Sequence, residues 1–361
     1  MGLFDKFFAK KQIAINSNHD FWQWFQLNEK AFFKAVAQGD NIQELFFSKL
    51  SPKLDELKSG FFFLTGMFNT TTAELVLTAD GNVNNIAFVE DLVASAPVIN
   101  GWKFTALKQE HAIENTSIKM AGYAFNDNTL SFYANVDENY PDEIAVTIVH
   151  NDFNEDCRLE IINGTYLFLD YYLGELNFAV TIDVLEFAQK SDATAELVPI
   201  EKLKSFLKWR EKEFIEKYDG VRHDTDNDSY SLFEANAEQE NYSIATMDTD
   251  LLNWNAKASH PWIGTMTLKY DEAGMPNEAA SALLYEIEEQ LLAELKDVDG
   301  YLYIGHETTQ GTREIYLACN DFRKPSKVFY TVKEKYSGRI TIATDIYKDK
   351  YWKSFNRFIE G

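Results

Sequence analysis

Cysteine, proline and long apolar runs are scarce in this sequence of 361 residues. It contains seven prolines and two cysteines, Cys157 and Cys319, which lie far apart. Two distant cysteines give no disulfide framework, so we expect two reduced thiols with a structural role. No run approaches the roughly 18 apolar residues of a membrane-spanning helix. We therefore expect a protein without a membrane span.

The opening segment MGLFDKFFAKK does not have the form of a signal peptide. Asp5 and Lys6 interrupt its apolar part, and no small-residue cleavage site follows. The segment could form a short amphipathic anchor, but a frayed terminal helix fits it better. We predict that residues 1–14 are a tail and that the protein is cytoplasmic.

Positive charge is also scarce. The chain has 34 lysines and arginines against 57 aspartates and glutamates, which gives a formal net charge of -23. In the most basic stretch, residues 201–218, acids alternate with bases, which is typical of a solvated helix face. Because binding to nucleic acid needs a concentrated basic patch, we expect no nucleic-acid partner. The acidity indicates solubility or a basic protein partner instead.

Motifs of common enzyme classes are absent. The sequence has no phosphate-binding Walker loop, no G-x-G-x-x-G and no G-x-S-x-G. HETTQ at residues 306–310 begins like the zinc motif H-E-x-x-H, but Gln310 replaces the second histidine. Neither cysteine lies in a reactive motif. These absences argue against several hydrolases and nucleotide-dependent enzymes.

The acidic segment 219–250 holds nine acids and a single arginine. Asp224, Asp226 and Asp228 alternate as at the start of a calcium-binding EF-hand loop. Such a loop needs glycine at position 6 and glutamate at position 12, and this sequence has Ser229 and Ala235 there. We interpret the segment as a solvated acidic loop, with a weak divalent-ion site as the alternative.

Aromatic residues are abundant, with 28 Phe, 18 Tyr and 7 Trp, and they favour packed cores. The length and the periodic apolar segments predict an α+β protein of two domains. We expect the N-terminal domain to be the larger one, an α/β sandwich. After the tail, the predicted parts are an N-terminal α+β domain at 15–187, a linker and connecting helix at 188–219, and a C-terminal domain at 220–361.

The C-terminal domain has the clearest pattern of elements. A strand from Trp262 is followed by a helix with a leucine stripe, a hairpin turning at Gln310-Gly311, a helix near 324–334 and a strand near 339–346. This β-α-β-β-α-β order predicts a ferredoxin-like antiparallel sheet with helices on one face. A final helix is predicted to carry the aromatic residues of 351–359.

Seven residues in the last third are candidates for a binding surface, because they form polar and aromatic groupings. Most of these groupings also have a structural interpretation, such as the start of a strand, a turn or the apolar face of a helix. Arg313 is the exception, because a cation within an apolar hairpin needs an acidic neighbour or a partner group. The candidates are His260, Trp262, Gly274, Pro276, Arg313, Asp349 and Trp352.

The same groupings resemble the bacterial domain-of-unknown-function family numbered 695, over about residues 230–361. The similar features are HPW at 260–262, GMP at 274–276 before an acidic helix with YEIEEQL, the hairpin YIGHETTQGTREIYLAC, and DKYW at 349–352. Residues 15–190, with ELVLTADGN and APVINGWKF, resemble uncharacterised regions that accompany such domains. Some family members are similar in architecture to, or fused with, small acidic protein inhibitors of ribonuclease E. The resemblance thus implies an α+β sandwich that binds protein, and it implies no catalytic residue.

We therefore expect a non-catalytic protein-binding or regulatory module, able to inhibit a basic partner such as a nuclease or a toxin. We expect no cofactor. The alternative is a metal-assisted hydrolase that uses acids of residues 219–250 together with His223 or His260. A structural or assembly module is a third interpretation. The sequence leaves open the partner and the oligomeric state.

Overall fold

The structure, a computed structural model, describes residues 14–237, 241–271 and 274–359. The chain divides into two compact units, of which the first ends at Lys108 and the second begins at Gln109. The predicted tail therefore lies outside the described residues, except for Ala14. The predicted linker and connecting helix, residues 188–219, lie within the second unit.

Among its described residues, the first unit contains a three-stranded sheet, three α-helices and a short π-helix, Gln43–Phe47. Its sheet has the order β1-β2-β3, with β1 antiparallel and β3 parallel to β2. The parallel pair is connected by α3, as a parallel connection requires. The elements are α1 (Asn18–Gln38), α2 (Ser48–Leu57), β1 (Phe62–Asn69), β2 (Thr72–Thr78), α3 (Val83–Ala94) and β3 (Trp102–Ala106).

Aromatic packing fixes α1 on one face of this sheet. The Ser17 side chain caps the helix by accepting from the backbone N–H of Asp20. Phe25 is fully buried and meets the ring of Phe104 at 5.4 Å. The indole Nε1 of Trp22 donates to the Leu92 carbonyl at 2.8 Å, which ties α1 to α3. The helices thus share one face of the sheet.

The second unit begins with two smaller sheets. A two-stranded ladder joins β4 and β5, and a four-stranded sheet has the order β8-β7-β6-β9. The elements are β4 (Ile118–Met120), β5 (Tyr123–Phe125), β6 (Leu130–Asn135), β7 (Ala145–His150), α4 (Arg158–Leu173), α5 (Glu175–Thr181), β8 (Val184–Ala188), β9 (Val198–Pro199) and α6 (Leu203–Tyr218).

The chain is helical from Glu175 to Thr181. The β-branched residues near the end of this stretch favour a strand locally. Gly174, at φ +79, separates α4 from α5 and lets a second helix start at once. Phe178 then packs against the core that α4 contributes to. Tertiary burial outweighs the local preference here.

The remainder of the second unit is built on a six-stranded antiparallel sheet with the order β10-β11-β13-β14-β12-β15. Its elements are β10 (Tyr230–Ala237), β11 (Asn241–Asp248), α7 (Thr249–Leu252), β12 (Trp262–Lys269), α8 (Glu278–Glu294), β13 (Tyr301–Thr309), β14 (Thr312–Cys319), α9 (Arg323–Tyr336) and β15 (Thr341–Lys348).

The predicted β-α-β-β-α-β order is present from Trp262 to Lys348, and the hairpin at Gln310-Gly311 is confirmed. Two further strands, β10 and β11, occupy much of the predicted solvated acidic loop, so that interpretation is wrong for residues 230–237 and 241–248. The predicted final helix is a short 3-10 helix, Lys353–Phe358. The broader prediction of an α+β fold is confirmed.

The two faces of the large sheet differ. Helices α8 and α9 pack on one face, which we call the helical face; a Cβ on Gly264 there would collide with the Phe329 ring. On the opposite face, Trp352 and Phe355 cover an apolar cluster that includes Ile263. None of the helices that the structure describes is long and apolar enough to cross a membrane.

Candidate functional site

A groove of about 450 Å³ lies on the face opposite α8 and α9, beside the 3-10 helix. Its floor contains Thr265 and Thr267 of β12. In the ladder, Thr265 lies between Tyr316 of β14 and Asp345 of β15, and Thr267 lies opposite Glu314. Successive residues of a strand alternate between faces, so these side chains share one surface. We call this surface the acidic groove.

Carboxylates dominate the charge of the acidic groove. The Tyr316 hydroxyl lies 3.0 Å from Glu314 Oε2 and 3.3 Å from Glu307 Oε2, so it can donate to either carboxylate. Burial and the two carboxylates raise the pKa of Tyr316, which keeps it a neutral donor. Arg357 donates to Glu307 Oε2 at 2.6 Å, but its side chain is 57% exposed. Glu314 and Asp345 line the groove together with Arg357, and Glu307 lies beside it.

A buried polar network lies on the helical face. The Tyr303 hydroxyl donates to Glu288 Oε1 at 2.6 Å and lies 2.7 Å from Nδ1 of His306. Arg313 is 5% exposed, and its Nε donates to Thr308 Oγ1 at 3.0 Å. Arg313 Nη1 lies 3.6 Å from Glu288 Oε2. The sequence-predicted candidate Arg313 thus has an acidic neighbour within its own fold.

A bulge in β13 produces this network. The ladder with β14 shifts between Tyr303 and Gly305, so that Ile304 is an extra residue. Tyr303 and His306, three positions apart, therefore point to the same face. Gly305 has φ +145, and a Cβ there would collide with the Thr246 carbonyl. Successive residues of a strand point to opposite faces of the sheet, so His306 and Glu307 lie on opposite faces. The residues of the HETTQ motif therefore do not form one site.

Glu288 is buried, yet its neighbours lower the pKa of its carboxyl group. Burial acts to raise its pKa, but the nearby His306, the hydrogen bond from Tyr303 and the charge of Arg313 outweigh burial and lower the pKa. Glu288 Oε2 and Arg313 Nη1 make no hydrogen bond within the described residues. The network therefore holds a charge pair under α8 whose nearest atoms lie 3.6 Å apart.

The acidic segment contributes a second buried group. Asp228 Oδ2 lies 2.5 Å from Nε2 of His223, whereas Asp224 Oδ1 accepts from the backbone N–H of Asp226. Asp248 is fully buried, and burial together with the Asp228 carboxylate raises its pKa to about 6. The alternating aspartates thus make different contacts and do not converge on one site. Across residues 14–237, 241–271 and 274–359, no three His, Cys, Asp or Glu side chains form a group that could hold a metal ion.

The seven sequence-predicted residues lie in four places. His260, Asp349 and Trp352 come together: Trp352 Nε1 donates to the His260 carbonyl at 3.0 Å, and the Asp349 carboxylate accepts from the backbone N–H groups of Lys353 and Ser354. His260 is fully buried, and burial lowers its pKa to about 4. These contacts fix the C-terminal 3-10 helix on the sheet.

The other four predicted residues lie elsewhere. Trp262 packs edge-on against the Phe322 ring at 4.8 Å, on the helical face. Gly274 accepts from the Tyr270 hydroxyl at 3.1 Å, and Pro276 precedes the Asn277 cap of α8. Arg313 belongs to the buried polar network. The structure does not bring the seven residues into one site.

Lys350 and its carboxylate partners are an important group that the sequence did not indicate. Lys350 is 3% exposed, and its ammonium donates to Asp183 Oδ2 at 2.7 Å and to the Asp142 carbonyl at 2.8 Å. Burial and the neighbouring Lys348 lower its pKa to about 8. Lys348 also pairs with Asp183, at 2.6 Å. The DKYW segment thus joins the large sheet to the region before α6. This contact links residues far apart in the chain, so no local sequence pattern predicts it.

Comparisons with known proteins give a single indication. No curated protein and no solved structure matches the chain. The predicted resemblance is confirmed for the C-terminal part alone, and nothing shows the resemblance that was predicted for residues 15–190. Residues 231–359, which carry the acidic groove and the buried polar network, match a family described as "Family of unknown function (DUF695)".

Proposed function

We propose that the C-terminal part of this chain is a non-catalytic protein-binding module whose acidic groove receives a basic segment of a partner protein. The observation that carries the proposal is the groove itself, where the carboxylates of Glu314 and Asp345 line the surface beside the pair of Glu307 and Arg357. A lysine or arginine side chain of a partner would make charge-assisted hydrogen bonds with these carboxylates. The net charge of -23 would increase the rate of encounter with such a partner.

The fold offers a rigid platform for this role. We propose a ferredoxin-like arrangement for β12 to β15 with α8 and α9, because the order β13-β14-β12-β15 places the first and third of these strands in the centre. The groove carboxylates are attached to strands of one sheet, so a partner meets them already positioned. Preorganised groups lose little entropy on binding. Regulation of a basic enzyme, such as a nuclease or toxin, and a cytoplasmic location fit this proposal.

The experiment measures binding of a fluorescent eight-residue peptide of lysine, arginine and serine by anisotropy, at low and high salt. The test variant combines Glu307→Gln, Glu314→Gln and Asp345→Asn. The matched control removes three exposed carboxylates elsewhere, with Glu213→Gln, Glu289→Gln and Glu294→Gln. Both variants change the net charge equally, so long-range attraction falls equally in both.

We expect the groove variant to bind the peptide about tenfold more weakly than the control variant, because solvent-accessible ion pairs contribute roughly 0.2–1 kcal/mol each. Salt should weaken binding to the parent protein and to the control. Equal affinities of the two triple variants would show that net charge alone attracts the peptide, and would refute the groove as the site.

The alternative of a metal-assisted hydrolase stays a prediction with less support. It relies on His223 or His260, and the former pairs with Asp228 while the latter is buried beside Trp254 and Trp352. Metal analysis of the purified protein, with thermal shifts in calcium, manganese and zinc, tests it. Stoichiometric metal and a shift abolished by His223→Ala would favour the hydrolase over the binding module.

A further inference from the structure

A cavity of about 220 Å³ lies where the start of β12 and the end of β15 meet α5 and α6. Pro261 and Trp262 of the HPW segment line it together with Lys350 of the DKYW segment. It has no lining residue in common with the acidic groove, and the proposed function does not use it. The cavity is therefore a second candidate site in this part of the chain.

Apolar side chains line much of the cavity. Trp262 and Phe322 are buried and meet edge-on, with their ring centres 4.8 Å apart. On α6, Phe214 is half-buried and Ile215 is 59% exposed, so the cavity opens to solvent beside this helix. Walls of this kind hold the apolar body of a small molecule.

Two lysine side chains belong to the same wall and are largely shielded from solvent. The side chain of Lys350 is 2% exposed and that of Lys348 is 16% exposed. The Lys350 ammonium lies 4.2 Å from the centre of the Phe214 ring, and the Lys348 ammonium lies 5.9 Å from the centre of the Trp262 ring. The charged and the apolar parts of the wall therefore adjoin.

These lysines carry more positive charge than their shared partner neutralises. Both pair with the single carboxylate of Asp183, Lys348 at 2.6 Å and Lys350 at 2.7 Å. Lys350 also donates to the Asp142 carbonyl, so two of its three N–H groups have acceptors. Within the described part of the chain, the third N–H has none. One buried positive charge is thus without a paired carboxylate at this wall.

Among the described residues, no other acid beside the cavity forms an ion pair with these two lysines. The carboxylate of Asp142 accepts from Lys217 at 2.7 Å instead. Asp321 pairs with Arg323 at 3.4 Å, and both of these side chains are 38% exposed. Glu211 of α6 lines the cavity but pairs with neither lysine. A ligand that brings its own negative charge would complete the arrangement.

We infer that the cavity binds a small carboxylic acid, whose carboxylate pairs with Lys350 and Lys348 while its apolar body packs against Trp262. The ligand carboxylate would accept the remaining N–H of Lys350 in a charge-assisted hydrogen bond. Drug-sized ligands occupy cavities of roughly 300–1,000 Å³, so this smaller cavity limits the ligand to roughly ten non-hydrogen atoms. Burial and the charge of Lys348 lower the pKa of Lys350 to about 8, and a bound carboxylate would oppose both effects.

Isothermal titration calorimetry of the full chain at pH 7 tests this inference, with phenylacetate as the probe. The comparison ligands are the neutral phenylacetamide and the cationic phenethylamine. We expect a dissociation constant of about 0.1–1 mM for phenylacetate, as is ordinary for so small a ligand. Phenylacetamide should bind about tenfold more weakly, because it offers no charged acceptor.

Three results with the parent chain would overturn the inference. They are no binding of phenylacetate up to about 10 mM, equal affinities for the acid and its amide, and tighter binding of the amine than of the acid. The last result would identify Glu211 or Asp321 as the recognising group, and not the two lysines.

Substitution of the buried lysine tests its role directly. Lys350→Met should abolish the preference for phenylacetate over phenylacetamide, whereas the control Lys212→Met, at an exposed lysine, should retain it. Circular dichroism verifies that both variants fold. A preference that persists in folded Lys350→Met would refute the assigned carboxylate site.

A second pair of variants does not depend on the folding of Lys350→Met. Ile215→Asp adds a negative charge at the opening, and the control Leu159→Asp adds one on α4 at an apolar residue that is 71% exposed. We expect Ile215→Asp to bind phenylacetate about tenfold more weakly than the control, because like charges repel. Equal affinities would place the ligand elsewhere and refute the inference. Neither residue lines the acidic groove, so peptide binding there is tested separately.

Discussion

The Tyr303 hydroxyl lies 2.7 Å from Nδ1 of His306, although the two residues are three positions apart on one strand. In a regular strand they would point to opposite faces. The extra residue at Ile304 and the backbone of Gly305 remove this conflict. The bulge therefore decides which polar groups of β13 are buried under α8 and which face the acidic groove.

Replacing Gly305 should disrupt the bulge. We expect Gly305→Ala to lower the free energy of unfolding by about 2 kcal/mol or more, because φ +145 is strained for alanine and its Cβ would collide with the Thr246 carbonyl. Urea denaturation measures the change. Gly338→Ala is the control and should differ from the parent by less than about 0.5 kcal/mol. A similar stability for both variants would contradict the proposed importance of the bulge.

Asp248 predicts a dependence of stability on pH. Its pKa of about 6 in the folded chain exceeds the ordinary value of 3.8, so the folded state holds the proton more tightly. The resulting stabilisation is complete below about pH 3.8 and is lost as the pH rises toward 6. Asp248→Asn retains an acceptor for the Leu251 N–H, which Asp248 Oδ1 now caps.

We expect Asp248→Asn to be more stable than the parent at pH 7, by at most roughly 3 kcal/mol, and equally stable near pH 4. Thermal unfolding at pH values between 4 and 7 measures the difference. The control is Asp226→Asn, at an exposed aspartate of the same segment. Its stability should change with pH in the same way as that of the parent. Parallel curves for Asp248→Asn and the parent would show that this carboxyl does not titrate as inferred.

Because Lys348 and Lys350 share Asp183, we expect substitution of one lysine and substitution of the aspartate to lower the free energy of unfolding by different amounts. Lys350→Met should cost about 1–3 kcal/mol of stability, because Lys348 still neutralises Asp183. Asp183→Asn should cost more, about 3–5 kcal/mol, because it leaves two ammonium groups near each other without a carboxylate. Chemical denaturation measures the free energy of unfolding of both variants and shows which one loses more. Substitution of an exposed lysine, Lys212→Met, is the control. A larger loss for Lys350→Met would refute this account.

Substitution of Arg357 should change the affinity for the cationic peptide in the opposite direction from substitution of the groove carboxylates. Removing it leaves Glu307 without its guanidinium partner and makes the groove more negative. We expect Arg357→Gln to bind the cationic peptide about threefold more tightly, in the same anisotropy assay. The control Arg339→Gln removes an arginine that pairs with Glu286. An equal increase in peptide affinity for both variants would show that net charge, and not the groove, determines binding.

Sequence patterns predicted the elements from Trp262 to Lys348 because apolar spacing there is regular and the turn residues are distinctive. β10 and β11 were missed because their neighbours are acidic and because pairing with β13 is a long-range property. Asp248 illustrates this point, since nothing in its local sequence distinguishes a fully buried aspartate from a solvated one.

The candidate sites were harder to predict than the fold. Arg313 was identified because a cation in an apolar hairpin is unusual, and Glu288 is indeed beside it. The acidic groove could not be identified, because Thr265, Glu314 and Asp345 come from three strands that are adjacent only in the folded sheet. The bulge changed the assignment of His306, since simple alternation would place it on the face opposite Tyr303.

The contact between Lys350 and Asp183 separates two ways of dividing this protein. Sequence similarity defines a segment from 231 to 359, yet the carboxylate that neutralises a buried ammonium of that segment lies nearly fifty residues before it. A fragment cut at the borders of the family match would carry two lysines without their shared counter-ion. The unit that similarity recognises is therefore smaller than the unit that is electrostatically complete.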